Sequence, residues 1–286
     1  MGCFTSWRIA QHPPERGGIQ AALFSLKETR MLAYEEAGRG PAAVLLHAFP
    51  LSGEMWRPQI QALARHARLV LPDLPGFGRS PRQKTPSVPA MAQAVAELLD
   101  QLGIREPVFI GGLSMGGYAA FEFARQFPER VRGLGLFSTR AAADTEEAKV
   151  KRMKTSALIQ EAGLESLIQA MIPNLLGITT RKTHPETEVW VREMILRNEA
   201  GGVTDALKAM AERRDSSPLL SSMRVPVMVA AGDEDLFIPW EESETMQRAI
   251  PGSVLTRLQG AGHLVNLESP EAFNEALGFF LKRLEV

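Results

Sequence analysis

The sequence predicts an α/β fold, a doubly wound and mostly parallel sheet with a helical insertion in its second half. Short apolar runs recur along the chain, each ending in a loop, as strands covered on both faces do. Helical periods lie between these runs, which is the alternation of a parallel sheet. The alternation then fails between about residues 141 and 223, where the chain is charged, helical in pattern and without a convincing strand.

Taken in order, residues 1–18 read as an N-terminal tail, because His12-Pro13-Pro14-Glu15-Arg16-Gly17-Gly18 is a loop composition. Residues 19–25 and 31–34 alternate partially around 27–30, which suggests a hairpin. Apolar runs at 42–46, 68–71, 108–110 and 131–137 are the next strands, with helical periods at about 53–65, 88–102 and 117–127. The insertion carries helical patterns at 145–161, 186–199 and 202–213, with Pro173 and Gly177 as breakers. A strand returns at 225–231, followed by a helix near 241–249, a strand at 253–258 and a last helix at 270–281. The organisation is one domain in two parts, 19–140 and 224–286, split by the helical insertion 141–223.

Composition narrows the function. A chain of 286 residues with 45% apolar and 23% charged residues buries a substantial core without staples. Its formal charge of -1 argues against nucleic acid or an anionic membrane as partner, since both call for concentrated Lys and Arg. A small, neutral substrate is the expectation. The single cysteine, Cys3, forms no internal disulfide and leaves no Cys-rich metal site. No apolar run approaches the roughly 18 residues that span a bilayer, and no signal-peptide core opens the chain, so the expected location is cytoplasmic. Met1-Gly2-Cys3-Phe4-Thr5-Ser6 formally fits a myristoylation pattern with Cys3 open to palmitoylation, but an uninformative tail is the preferred reading. Oligomeric state is not legible.

The chemistry centres on Gly111-Gly112-Leu113-Ser114-Met115-Gly116-Gly117, set between a strand and a helix. A strand that turns abruptly into a helix strains the connecting residue, and small neighbours relieve the collisions. Gly112 and Gly116 supply that room. Ser114 then stands at a helix start, where free N–H groups favour negative charge, as in a G-x-S-x-G nucleophile elbow. The pattern is short, and a glycine-rich packing turn is its bland alternative, so partners must decide.

A serine needs a base, and the base needs an acid to hold its tautomer. Among five histidines, His12 is in the tail, His66 in a polar segment, His184 in the insertion and His47 far upstream. His263, in Gln259-Gly260-Ala261-Gly262-His263 after the last strand, is the candidate base. The acid should fall between Ser114 and His263 in the chain. Gly232-Asp233-Glu234-Asp235 supplies it, with Asp235 favoured and Asp233 second. Backbone N–H groups of Met115, after the nucleophile, and of Phe49, in the loop after an early strand, are the candidate oxyanion hole.

These residues resemble the α/β-hydrolase superfamily, in the branch of pimeloyl-carrier-protein methyl esterase, enol-lactonases, C–C bond hydrolases and cofactor-free haloperoxidase/perhydrolases. The resemblance covers about residues 19–284 and rests on His47 to Pro50, Asp73-Leu74-Pro75-Gly76-Phe77-Gly78-Arg79-Ser80, the elbow at Ser114, the Gly232 to Asp235 loop and Gly260 to His263. It implies an eight-stranded, mostly parallel sheet, an acid at Asp235, and an insertion that serves as substrate-binding cap. Met153, Met171, Met194 and Met210 either line that cap's pocket or merely pack its helices; Trp56 and Trp190 are equally open. The chain departs from the family at Ala48, where glycine is usual, and at Ser138-Thr139, where some relatives place an acid. A serine nucleophile argues against dehalogenase and epoxide hydrolase chemistry, which needs a carboxylate. The implied activity is hydrolysis of a small-molecule ester without metal or organic cofactor. Enol-lactone, C–C bond or perhydrolysis chemistry on the same triad, and a ligand-binding receptor on a hydrolase fold, are the alternatives.

Overall fold

The computed structural model describes residues 31–284. Its sheet has seven strands: β1 (Tyr34–Ala37), β2 (Ala42–Leu46), β3 (Arg68–Pro72), β4 (Val108–Leu113), β5 (Val131–Phe137), β6 (Val227–Gly232) and β7 (Val254–Leu258). They lie in the order β1-β3-β2-β4-β5-β6-β7, with β1 antiparallel to β3 and the others parallel. The fold class is therefore as expected, with seven strands among the described residues where eight were expected. The strand expected at 19–25, its turn at 27–30, the tail and the Gly2 and Cys3 positions lie outside those residues. The strand expected at 31–34 sits later, at Tyr34–Ala37, because its register against β3 pairs Tyr34 with Pro72 and Ala37 with Leu69.

The apolar runs are continuous because both faces are covered. Val44 and Leu46 of β2 and Val227 and Val229 of β6 join one core cluster, while Ala43, Leu45, Met228 and Ala230 between them join a second. Each fully buried Leu or Val contributes about 1.5–3 kcal/mol. Helices α1 (Arg57–Leu63), α2 (Val88–Gln101) and α3 (Met115–Gln126) connect the early strands. The start of the period expected at 53–65 is a 3-10 turn over Gly53–Trp56. Helix α2 starts where Ser87 accepts from Ala90 N–H at 3.2 Å, with a proline in its first turn.

Between β5 and β6 lie α4 (Glu146–Leu175), α5 (Ile178–Thr183), α6 (Pro185–Leu196), α7 (Ala200–Ala211) and the short α8 (Ser217–Leu220). Helix α4 breaks at Gly163, with φ of 74°, and runs through Pro173, one of the two expected breakers; the other, Gly177, does separate α4 from α5. The insertion is clipped shut at its base. Asp144 before α4 and Arg213 after α7 form a buried ion pair, Arg152 of α4 joins it, and the Arg213 guanidinium stacks over Tyr118 of α3 at 4.0 Å. Met194 and Met210 are buried in the core clusters, whereas Met153 is 40% exposed, so packing accounts for two of these methionines. Helices α9 (Trp240–Ala249), α10 (Val265–Glu268) and α11 (Pro270–Arg283) complete the fold. Among the described residues no helix is long and apolar enough to cross a membrane.

Candidate active site

β4 ends at Leu113 and α3 begins at Met115, so Ser114 alone makes the turn from strand to helix. Its φ of 55° and ψ of -112° are strained for a residue with a side chain. The surroundings hold it there: Ser114 N–H donates to Phe137 C=O at 2.9 Å, and Ser114 C=O accepts from Gly117 N–H and from the Thr139 hydroxyl, each at 2.9 Å. The flanking glycines are steric necessities. A Cβ on Gly112 would lie 2.0 Å from Gly116 O, and one on Gly116 would lie 2.2 Å from Leu46 O. The second contact brings the start of α3 against the end of β2, beside the loop His47 to Pro50.

Asp235 follows β6 and His263 follows β7, at the same end of the sheet as Ser114. Asp235 Oδ1 accepts from the N–H groups of Phe237 and Ile238 at 2.8 and 2.9 Å, leaving Oδ2 to meet His263 Nδ1 at 2.8 Å. A carboxylate accepts only, so the pairing assigns the proton to Nδ1 and leaves Nε2 with its lone pair. The Phe237 ring packs edge-on against the imidazole, with ring centroids 5.3 Å apart. The other two carboxylates of the loop are otherwise engaged: Asp233 accepts from Gly260 N–H at 2.7 Å, and Glu234 accepts from Thr179. His184 faces Glu186 on the exposed surface of the insertion.

Phe49 is buried in the loop after β2, and Met115 opens α3, where the first N–H groups have no carbonyl one turn back. The Phe49 loop is pinned by His47, which is fully buried: its Nε2 accepts from Leu74 N–H at 2.8 Å and its Nδ1–H donates to Ala48 C=O at 2.9 Å. Burial pushes the His47 pKa down to about 4, against the opposing pull of the Ala48 carbonyl and Asp73. His47 is thus a neutral structural residue. Where the family's glycine is usual, Ala48 fits with no exposed surface, and its N–H donates to Met55 Sδ at 3.2 Å.

The sequence matches the alpha/beta hydrolase fold family over residues 41–270. The chain belongs to the α/β-hydrolase family. A thermophilic esterase from Thermogutta terrifontis, solved with malate bound, is 39% identical with a TM-score of 0.87, covering 89% of this chain and 94% of its own. The enol-lactonase from Burkholderia xenovorans LB400 is 26% identical with a TM-score of 0.81, over 87% of this chain and 96% of its own. A putative carbamate hydrolase, RutD, from Azorhizobium caulinodans is 30% identical over 258 residues, 86% of this chain and 93% of the relative. By family and relatives, the protein is a hydrolase.

In this α/β hydrolase the insertion bonds to the loops after β2 and β3 and to those that carry Asp235 and His263. Asn198 Nδ2 donates to Pro50 C=O at 2.7 Å, and its Oδ1 accepts from Gly78 N–H at 2.7 Å. Thr179 N–H donates to Glu234 at 2.8 Å, beside Asp235. His263 N–H donates to Leu175 C=O at 3.3 Å, and Gly177 N–H donates to the buried Glu268 at 2.7 Å. Burial raises the Glu268 carboxyl above the ordinary range despite the N–H groups of Gly177, Gly262 and Leu264 and the Thr180 hydroxyl that favour its charged form. Asn198 and Glu268 escape a reading of the sequence. Glu268 leaves one trace, as the first charge after His263 in an apolar run; Asn198 leaves none.

Proposed function

We propose that this hydrolase cleaves a carboxylic ester of a small to medium, largely apolar substrate through an acyl-enzyme on Ser114. The observation that carries the reading is the buried Asp235–His263 pair at 2.8 Å, which leaves Nε2 as a base on the sheet end that bears the strained Ser114 turn. His263 takes the Ser114 proton as the oxygen attacks the carbonyl. The Phe49 and Met115 N–H groups receive the oxyanion. His263 then protonates the leaving alcohol and activates the water that releases the acid, while Asp235 stabilises the imidazolium.

The insertion acts as the cap that selects substrate. An ester whose alcohol and acyl groups are both uncharged suits a chain of formal charge -1 and a cap rich in Leu, Ile and Met. A p-nitrophenyl ester series of rising acyl length tests this on the wild-type protein and on Ser114→Ala. Turnover should fall by about a millionfold in the variant. Wild-type turnover in Ser114→Ala would remove the acyl-enzyme.

The enol-lactonase among the structural relatives supports a second reading, in which the same carbonyl chemistry opens a lactone. An ester and lactone panel separates the two by kcat/KM.

A further inference from the structure

Between His263 and α11 lies a buried carboxylate that the triad does not use. Glu268 is 8% exposed, and both of its oxygens are engaged by backbone donors. Oε1 accepts from Leu264 N–H at 2.8 Å; Oε2 accepts from Gly262 N–H at 3.0 Å and from Gly177 N–H of the insertion at 2.7 Å. Two of these donors are the residues immediately before and after His263. The His263 N–H itself donates to Leu175 C=O at the end of α4. Three consecutive peptide groups around the histidine are therefore held, two by Glu268 and one by the insertion.

We propose that Glu268 is the positioning residue of His263, fixing the backbone on both sides of it and locking that loop onto the insertion; this rests on the reading of His263 as general base. Three converging N–H donors require an acceptor-only group, which an ionised carboxylate is and an amide is not. Burying a charge is costly unless it is hydrogen-bonded, and these N–H groups offset part of that cost. The contact leaves no slack. A Cβ on Gly262 would lie 2.2 Å from Gly177 N, so the histidine loop and the insertion meet backbone to backbone. With Gly262 and Leu264 fixed, the imidazole is aimed at Asp235 Oδ2 before any substrate arrives. A base displaced by about 1 Å loses on the order of a hundredfold in rate.

Glu268→Gln and Glu268→Asp test this against Leu277→Ala, which opens a cavity at a fully buried position of α11 and removes no hydrogen bond of the histidine loop. For p-nitrophenyl acetate, Glu268→Gln should lower kcat by about 30- to 100-fold with KM within about twofold, and Glu268→Asp should fall between it and wild type. Leu277→Ala should keep wild-type kcat well below its melting temperature. Proton NMR supplies a readout that needs no turnover: the far-downfield Nδ1–H resonance of His263 on Asp235 should shift or broaden in Glu268→Gln and stay in Leu277→Ala. Wild-type kcat and an unmoved resonance in Glu268→Gln, or losses no larger than in Leu277→Ala, would overturn the proposal. If Glu268→Gln does not fold, Glu268→Asp decides by the same two readouts. Should wild type neither hydrolyse esters nor react with a fluorophosphonate, the hydrolytic reading fails, and the resonance still decides the role of Glu268.

Discussion

His263 Nδ1 and Asp235 Oδ2 lie 2.8 Å apart, with 4% and 0% of their side chains exposed. Removing one member of such a buried pair leaves the other without compensation. Asp235→Asn should therefore lower stability and hold His263 in the wrong tautomer, lowering kcat on the order of a thousandfold or more. Asp233→Asn keeps an acceptor for Gly260 N–H and should stay within about twofold of wild type. Equal losses in the two variants, measured with one p-nitrophenyl ester, would mean that the acid has been misassigned.

The elbow tolerates no side chain at Gly112 or Gly116, two residues to either side of Ser114. Gly116→Ala places a methyl group 2.2 Å from Leu46 O, which is backbone and cannot rotate away. The expected cost is about 3 kcal/mol or more, read as a lowered urea midpoint, with ester turnover falling alongside because Met115 and Phe49 separate. A variant with wild-type midpoint would show that α3 and β2 are less tightly opposed than described.

His47 makes stability depend on pH in a defined direction. Its folded pKa, about 4, lies below the ordinary 6.5, so between those values the unfolded chain binds a proton that the folded one does not. The contribution is complete above about pH 6.5 and is lost as pH falls toward 4, up to about 3 kcal/mol. Urea unfolding at pH 7, 6 and 5 measures it. His47→Gln should flatten the slope by up to one proton, and an unchanged slope would place the titration elsewhere.

Asn198 ties the insertion to the Phe49 loop. Asn198→Ala leaves Pro50 C=O and Gly78 N–H without this partner, at about 2–3 kcal/mol, which corresponds to a melting temperature lower by several degrees. Calorimetry checks the stability, and acetate ester turnover checks the loop; kcat should drop even for a substrate too small to need the cap. Unaltered kcat would confine Asn198 to holding the insertion in place.

The strands were legible because burial on both faces leaves an unmistakable apolar run, as in β4 and β6. The pairing of Asp235 with His263, at the sheet end that carries the Ser114 turn, was legible because the proposed acyl transfer calls for those residue types in that chain order at strand ends. The insertion was harder. Pro173 reads as a breaker, yet α4 runs past it to Leu175 and bends at Gly163, because tertiary packing overrides local propensity. The ties between the insertion and the candidate site left almost no trace: Glu268 accepts from Gly177 N–H, 91 residues away, a backbone group that carries no sequence signature. His47 reads as part of the family loop, but its neutrality follows only from complete burial.

The central claim is that Ser114 is the nucleophile activated by His263. Intact mass spectrometry after fluorophosphonate treatment, with peptide mapping, tests it directly on wild type, Ser114→Ala and His263→Ala. A single adduct on Ser114 in wild type, none in Ser114→Ala and much slower labelling in His263→Ala is the predicted result. An adduct that persists in Ser114→Ala, or that maps to another residue in wild type, would contradict the account.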